Sequence, residues 1–144
     1  MAFWTVNKFS YPPGNGLCRS GPVADETFVN STRWEFGLVD GDAVNQDAFL
    51  ESIAVDSVIR VYDRNDPSNY GIYVVTSNEH ANFIGIEFHQ IDGVSVEGNG
   101  SSSNGMEVVL EFYTEEGGAK RITNQFFSGF NGSDGINMRS FGGF

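Results

Sequence analysis

The strictest constraint on the fold is the run MEVVLEFY at 106–113, where Met106, Val108, Leu110 and Phe112 alternate with Glu107, Val109, Glu111 and Tyr113. A period of two sends alternate side chains to opposite faces of an extended chain, so this segment is a strand with one face in a core. Such a strand needs neighbours for its backbone groups and its apolar face, and the chain supplies them. RWEFGLV at 33–39 alternates Trp34, Phe36 and Leu38 with Arg33, Glu35 and Gly37. SVIRVYD at 57–63 and YGIYVVTS at 70–77 flank RNDPSN, whose Asp66-Pro67 and Asn69 suit a turn, which predicts a hairpin. NFIGIEFHQI at 82–91 reads as one strand, with Ile84, Ile86 and Phe88 on one face, Phe83, Glu87 and His89 on the other, and Gly85 marking a bulge or a close neighbour. The one helix expected is a single turn in DAFLESI, capped by Asp47 with Glu51 near its end. The expected fold is all-β: a small antiparallel β-sandwich or barrel of about five to seven strands with one short helix and extended N- and C-terminal arms.

Charge divides the chain in three. Residues 1–24 carry Lys8 and Arg19 and no acid, and residues 117–144 carry Lys120, Arg121 and Arg139 against Asp134. The stretch between holds every other acid against Arg33, Arg60 and Arg64. The ends are also aromatic and rich in turn formers, YPPGNG at 11–16 and GFNGSDG at 129–135. This pattern predicts an N-terminal aromatic arm at 1–32, a β module at 33–116 and a Phe/Gly-rich C-terminal arm at 117–144. The phenylalanines of FFSGFNGSDGINMRSFGGF, 126–144, follow neither the helix nor the strand period, so that segment is expected to anchor on a surface other than its own core. The expected interaction residues are Phe3, Trp4, Phe9 and Tyr11 in front and Phe126, Phe127, Phe130, Phe141 and Phe144 behind.

The net charge of -11 argues against nucleic acid, whose affinity rests on Lys and Arg displacing counterions. No apolar run reaches the roughly 18 residues of a membrane span, and MAFWTVNKFS lacks a signal-peptide pattern, so neither a membrane partner nor secretion is expected. Cys18 is the single cysteine and no internal disulfide is possible; its neighbours Pro13, Gly14, Gly16 and Pro22 place it in a loop, and Arg19 beside it offers a route to a lowered thiol pKa against the plainer reading of an inert thiol.

The order of pieces from about 33 to 113 resembles a small β module of tailed-bacteriophage virion proteins, of the tail-fibre and decoration type found in marine or cyanobacterial phages. The matching pieces are EFGLVDGDAVNQD, DAFLESI, VIRVYD, NDPSNY, IYVVTS and GNGSSSNGMEVVLEFY. The collagen-like repeats that often precede the module are missing from this chain, and the two aromatic ends are not part of it. The resemblance implies a virion structural role, assembly in the host cytoplasm and no catalytic residues.

Chemistry-bearing residues are sparse. His80 and His89 are the only histidines, with Glu79, Glu87 and Asp92 nearby in sequence. Glu87 and His89 share a strand face and with a second histidine could form part of a zinc site, but the spacing matches no closed or catalytic set, and a solvated strand face is the expectation. DGDAVNQD at 40–47 has Val44 and Asn45 where a calcium loop needs an oxygen ligand and a glycine; Asp40, Asp42 and Asp47 remain a candidate cation loop against a plain acidic one. No catalytic residue, metal or cofactor is expected. The expected function is a non-enzymatic virion structural protein, a capsid decoration (cement) protein held by its arms on the major capsid protein. The alternatives are a tail-fibre or spike module, trimeric and self-associating, and a host-surface glycan binder using Tyr62, Tyr70 and Tyr73.

Overall fold

The computed structural model describes residues 1–21 and 27–113. Seven strands and one helix follow in the order β1 (Phe3–Val6), β2 (Leu17–Gly21), β3 (Arg33–Gly37), α1 (Asp47–Glu51), β4 (Val58–Asp63), β5 (Asp66–Phe83), β6 (Ile86–Asn99) and β7 (Glu107–Tyr113). They close a barrel in the spatial order β1-β2-β3-β6-β5-β4-β7, with β7 returning to β1. The fold is thus all-β with one short helix, as the alternation demands, and closure pairs each strand of the barrel on both sides.

The predicted hairpin is β4 and β5, whose register runs from Val58↔Val74 to Tyr62↔Tyr70; its turn is Arg64-Asn65, and Asp66-Pro67 already belong to β5. MEVVLEFY delivers β7, with Val108 and Leu110 in the core and Met106 and Phe112 against it. RWEFG delivers β3. In the barrel interior an aromatic chain runs from Phe28 to Trp34 to Phe36 to Trp4, with ring centroids 5.8, 6.1 and 4.9 Å apart. Each such side chain contributes about 1.5–3 kcal/mol by leaving water. Leu50 and Ile53, at and just past α1, join the same core.

Four expectations are corrected. Residues 1–21 are not an arm: Phe3 and Trp4 are buried on β1, which pairs with β7 (Phe3↔Val109, Trp4↔Val108) and so completes the barrel. A barrel without β1 would leave the inner faces of β7 and β2 uncovered, which is why two large aromatic residues stand so near the start of the chain. The pairing is not uniformly antiparallel, since β1 and β2 run parallel, Thr5↔Leu17 and Val6↔Cys18. NFIGIEFHQI is not one strand: Ile84 and Gly85 have φ of 56° and 77°, the two left-handed residues of a tight hairpin turn, and Phe83 pairs with Ile86 across it. Cys18 lies not in a loop but fully buried on β2, where burial pushes its thiol pKa up, against the reactive reading.

β5 and β6 are the longest strands and form the feature that positions the site. Register shifts between Ile72/Tyr73 and Val75/Ser77 bend β5, and the two strands continue as a ribbon to the Ile84-Gly85 turn. β3 pairs with β6 only from Phe88 to Asp92, so the ribbon's last residues extend past it.

Candidate functional site

Among the described residues one group of four metal-ligating side chains converges: Asp47 and Glu51 of α1, His80 of β5 and His89 of β6, with one ligand atom from each lying within 4.8 Å of all the others. Two elementary periodicities bring them together. Residues four apart share a helix face, which sets Asp47 beside Glu51. Residues equidistant from a two-residue hairpin turn face each other, which makes His80 and His89 a cross-strand pair with ring centroids 4.9 Å apart.

His89 forms the floor of the group at 1% exposure, whereas Glu51 stands at its mouth with a side chain 69% exposed. His89 Nε2 lies 3.0 Å from Asp47 Oδ1 and 3.6 Å from Glu51 Oε1, and His80 Nδ1 lies 3.5 Å from Asp47 Oδ1. The far nitrogen of each ring is engaged elsewhere. His89 Nδ1 is 3.0 Å from Asn78 Oδ1, and His80 Nε2 is 2.7 Å from Glu87 Oε1. Asn78 is itself fixed, because its Nδ2 donates to the carbonyls of Leu50 and Ile53 at 2.8 Å each. It ties β5 to the end of α1 and aims its oxygen at His89.

The acidic loop before α1 behaves differently from the cation site considered above. Asp40 is buried and accepts hydrogen bonds from the Asp42 and Val44 N–H groups and from Gln46 Nε2 at 2.8, 3.0 and 2.8 Å. Burial works to raise its carboxyl pKa, but the hydrogen bonds from Val44, Gln46 and Asp42 outweigh burial and hold it below the ordinary range. Asp40 is therefore a loop organiser, Asp42 is exposed, and Asp47 turns to the histidines. The three do not share a site. Nor is Asp47 the helix cap: Gln46 occupies that position, and Asp47 sits in the first turn with its N–H bonded to Asn45 Oδ1.

The tyrosines proposed for surface recognition are occupied internally. Tyr73 is buried and donates to the Phe28 carbonyl, and Tyr70 is buried with its hydroxyl on Glu97. Tyr62 is half-buried, donates to Glu111 Oε2 at 3.0 Å and lies under the Arg60 guanidinium, 4.2 Å from its ring centroid. Of the N-terminal interaction residues, Phe9 (82% exposed) and Tyr11 remain on the surface. Phe126, Phe127, Phe130, Phe141 and Phe144 lie outside the described residues.

Sequence reasoning placed none of its surface residues on the hairpin tip, where Phe83, Ile84 and Ile86 are exposed, Ile84 at 78%. Tyr11 packs against this tip, its ring 5.5 Å from Phe83 and 5.8 Å from Phe88. Tyr11 and Phe83 thus belong to one aromatic surface, joined from distant parts of the sequence. Reading Ile84-Gly85 as a turn would have exposed both this tip and the mirrored histidines.

Comparison with protein-family models, with curated proteins and with solved structures finds no match for the chain.

Proposed function

We propose that the protein is a non-enzymatic virion structural protein of a tailed bacteriophage, assembled in the host cytoplasm, and that it works as a capsid decoration protein docking on the major capsid protein. The observation that carries this reading is Ile84. A β-branched side chain in the left-handed region costs about 1–2 kcal/mol, yet Ile stands there with φ 56° and nearly all of its surface in water. Asparagine or glycine would suit the turn better. An apolar residue held at such a position, flanked by exposed Phe83 and Ile86, supports a tip selected for insertion into another protein's pocket. The closed barrel behind it supports the role of a rigid spacer.

The test is binding of the purified chain to assembled coat shells, and separately to tails, of the virus that encodes it. Decoration predicts saturable binding to shells that falls at least ten-fold on Ile84→Asp. Binding to tails and not to shells would replace decoration by the tail-fibre reading. Binding to neither would overturn the virion role.

A further inference from the structure

We propose that Asp47, Glu51, His80 and His89 bind a single zinc ion, which clamps α1 onto the β5–β6 ribbon. The argument begins with where the ring protons must be. Both Asn78 Nδ2 hydrogens are directed to the Leu50 and Ile53 carbonyls, so the atom facing His89 Nδ1 is an acceptor oxygen, and His89 carries its proton on Nδ1. The Glu87 carboxylate accepts from His80 Nε2 in the same way. Each neutral ring is then left with a bare nitrogen, His89 Nε2 and His80 Nδ1. Both lie near one oxygen, Asp47 Oδ1, itself an acceptor.

Lone pairs turned on a carboxylate repel it unless a positive charge lies between them. Such a charge would face three carboxylates, Asp47, Glu51 and Glu87, gathered around two rings whose centroids are 4.9 Å apart. One divalent cation supplies it with neutral imidazoles. Zinc bonds of about 2.0–2.2 Å set tetrahedral ligand atoms about 3.3–3.6 Å apart. Two contacts here, 3.5 and 3.6 Å, match that spacing, a third is shorter at 3.0 Å, and all four atoms lie within 4.8 Å of one another, so binding would draw the group together around the ion.

The donor set selects the metal class. Two imidazoles favour zinc over calcium and magnesium, which take oxygen ligands. Each histidine is backed by an acceptor on its far nitrogen, Asn78 for one and Glu87 for the other, the arrangement that fixes the tautomer of metal-binding histidines. Four protein ligands complete a tetrahedron and leave no position for a substrate, so the ion's role is structural. It would join the helix to both strands of the ribbon, beside the link that Asn78 makes from β5 to the carbonyls of Leu50 and Ile53.

The experiment uses the full chain, stripped of metal with a chelator and exchanged into chelator-free buffer, and titrated with Zn2+ by calorimetry. A second titration with Co2+ is read by its visible absorption, which distinguishes tetrahedral from octahedral coordination. The expected result is one ion per chain, a tetrahedral cobalt spectrum, a rise of about 5 °C or more in unfolding midpoint with excess Zn2+, and little competition from Mg2+ or Ca2+. His80→Gln and Glu51→Gln each alter an exposed side chain, leave the buried His89 in place, and are expected to weaken Zn2+ binding at least ten-fold while keeping the β circular dichroism of the parent. Failure of Zn2+ to saturate a single site would overturn the proposal. So would an octahedral cobalt spectrum, or unchanged affinity in both variants. None of these outcomes depends on whether the tip docks on a coat shell.

Discussion

Trp4 Nε1 donates a 2.9 Å hydrogen bond to the carbonyl oxygen of Gly37, joining the first strand to the third through the barrel interior. The indole is fully buried and packs against Phe36 at a tilt of 56°, ring centroids 4.9 Å apart. Trp4→Ala is expected to cost about 3–5 kcal/mol, as for other buried tryptophans. Trp4→Phe retains most of the packing but orphans the carbonyl, at about 1–3 kcal/mol. Urea unfolding followed by circular dichroism measures both. A cost below 1 kcal/mol for the alanine variant would return the N-terminal segment to the status of an arm.

Gly37 is constrained by close approach rather than by its own torsions. A Cβ built on it would collide with the backbone carbonyl of Gly14, in the loop between β1 and β2. Backbone cannot swing aside as a side chain can, so Gly37→Ala is expected to destabilise by more than 2 kcal/mol or to prevent soluble expression. Gly85→Ala, where nothing lies within 4 Å and the penalty is the positive φ alone, should cost only about 1 kcal/mol.

Asp40 makes stability depend on pH with a defined sign. Its carboxyl binds a proton less readily in the folded chain than in the unfolded one, so its contribution is complete above the ordinary aspartate range and is lost as pH falls through the lower folded value. Asp40→Asn presents an amide N–H to groups that donate, and should cost about 1–3 kcal/mol at pH 7. The gap between parent and variant should stay constant near neutrality and narrow below about pH 4. A gap that widened in acid would contradict the assignment of Asp40 as a hydrogen-bonded anion.

Ile84→Asn should be a stabilising substitution. It relieves the β-branched side chain of a left-handed backbone and gives the turn a residue suited to it, for about 0.5–1 kcal/mol. The same change removes the apolar tip. Equilibrium unfolding and shell binding, measured on one preparation, should therefore move in opposite directions.

Much of the architecture was legible because it rests on alternation. β3, β4, β5 and β7 could be placed from Trp34, Ile59, Ile72 and Leu110 and their neighbours, and the short helix from DAFLESI. What escaped was information carried by pairs of residues far apart in sequence. β1 is only four residues long, too short for a period to declare itself, and its meaning comes from β7 at the other end of the described chain. The Ile84-Gly85 turn was missed because isoleucine is the wrong residue for it, so the expected turn chemistry was absent at the position where a surface tip is formed. That single misreading hid the histidine pair, whose members are symmetric about the turn. Tyr70 and Tyr73 looked like free surface because sequence does not disclose the glutamate and carbonyl that receive their hydroxyls.

The pairing of β1 with β7 has a consequence for biosynthesis. In a growing chain β1, with Phe3 and Trp4, is made before every other described strand, and its partner β7 is made after all of them. The barrel cannot close before β7 is made, so its interior must form in a late event dominated by contacts between distant residues. Until then two of the largest apolar side chains of the core lack the strand that pairs with theirs, and a cell making the protein quickly must keep such half-built barrels apart.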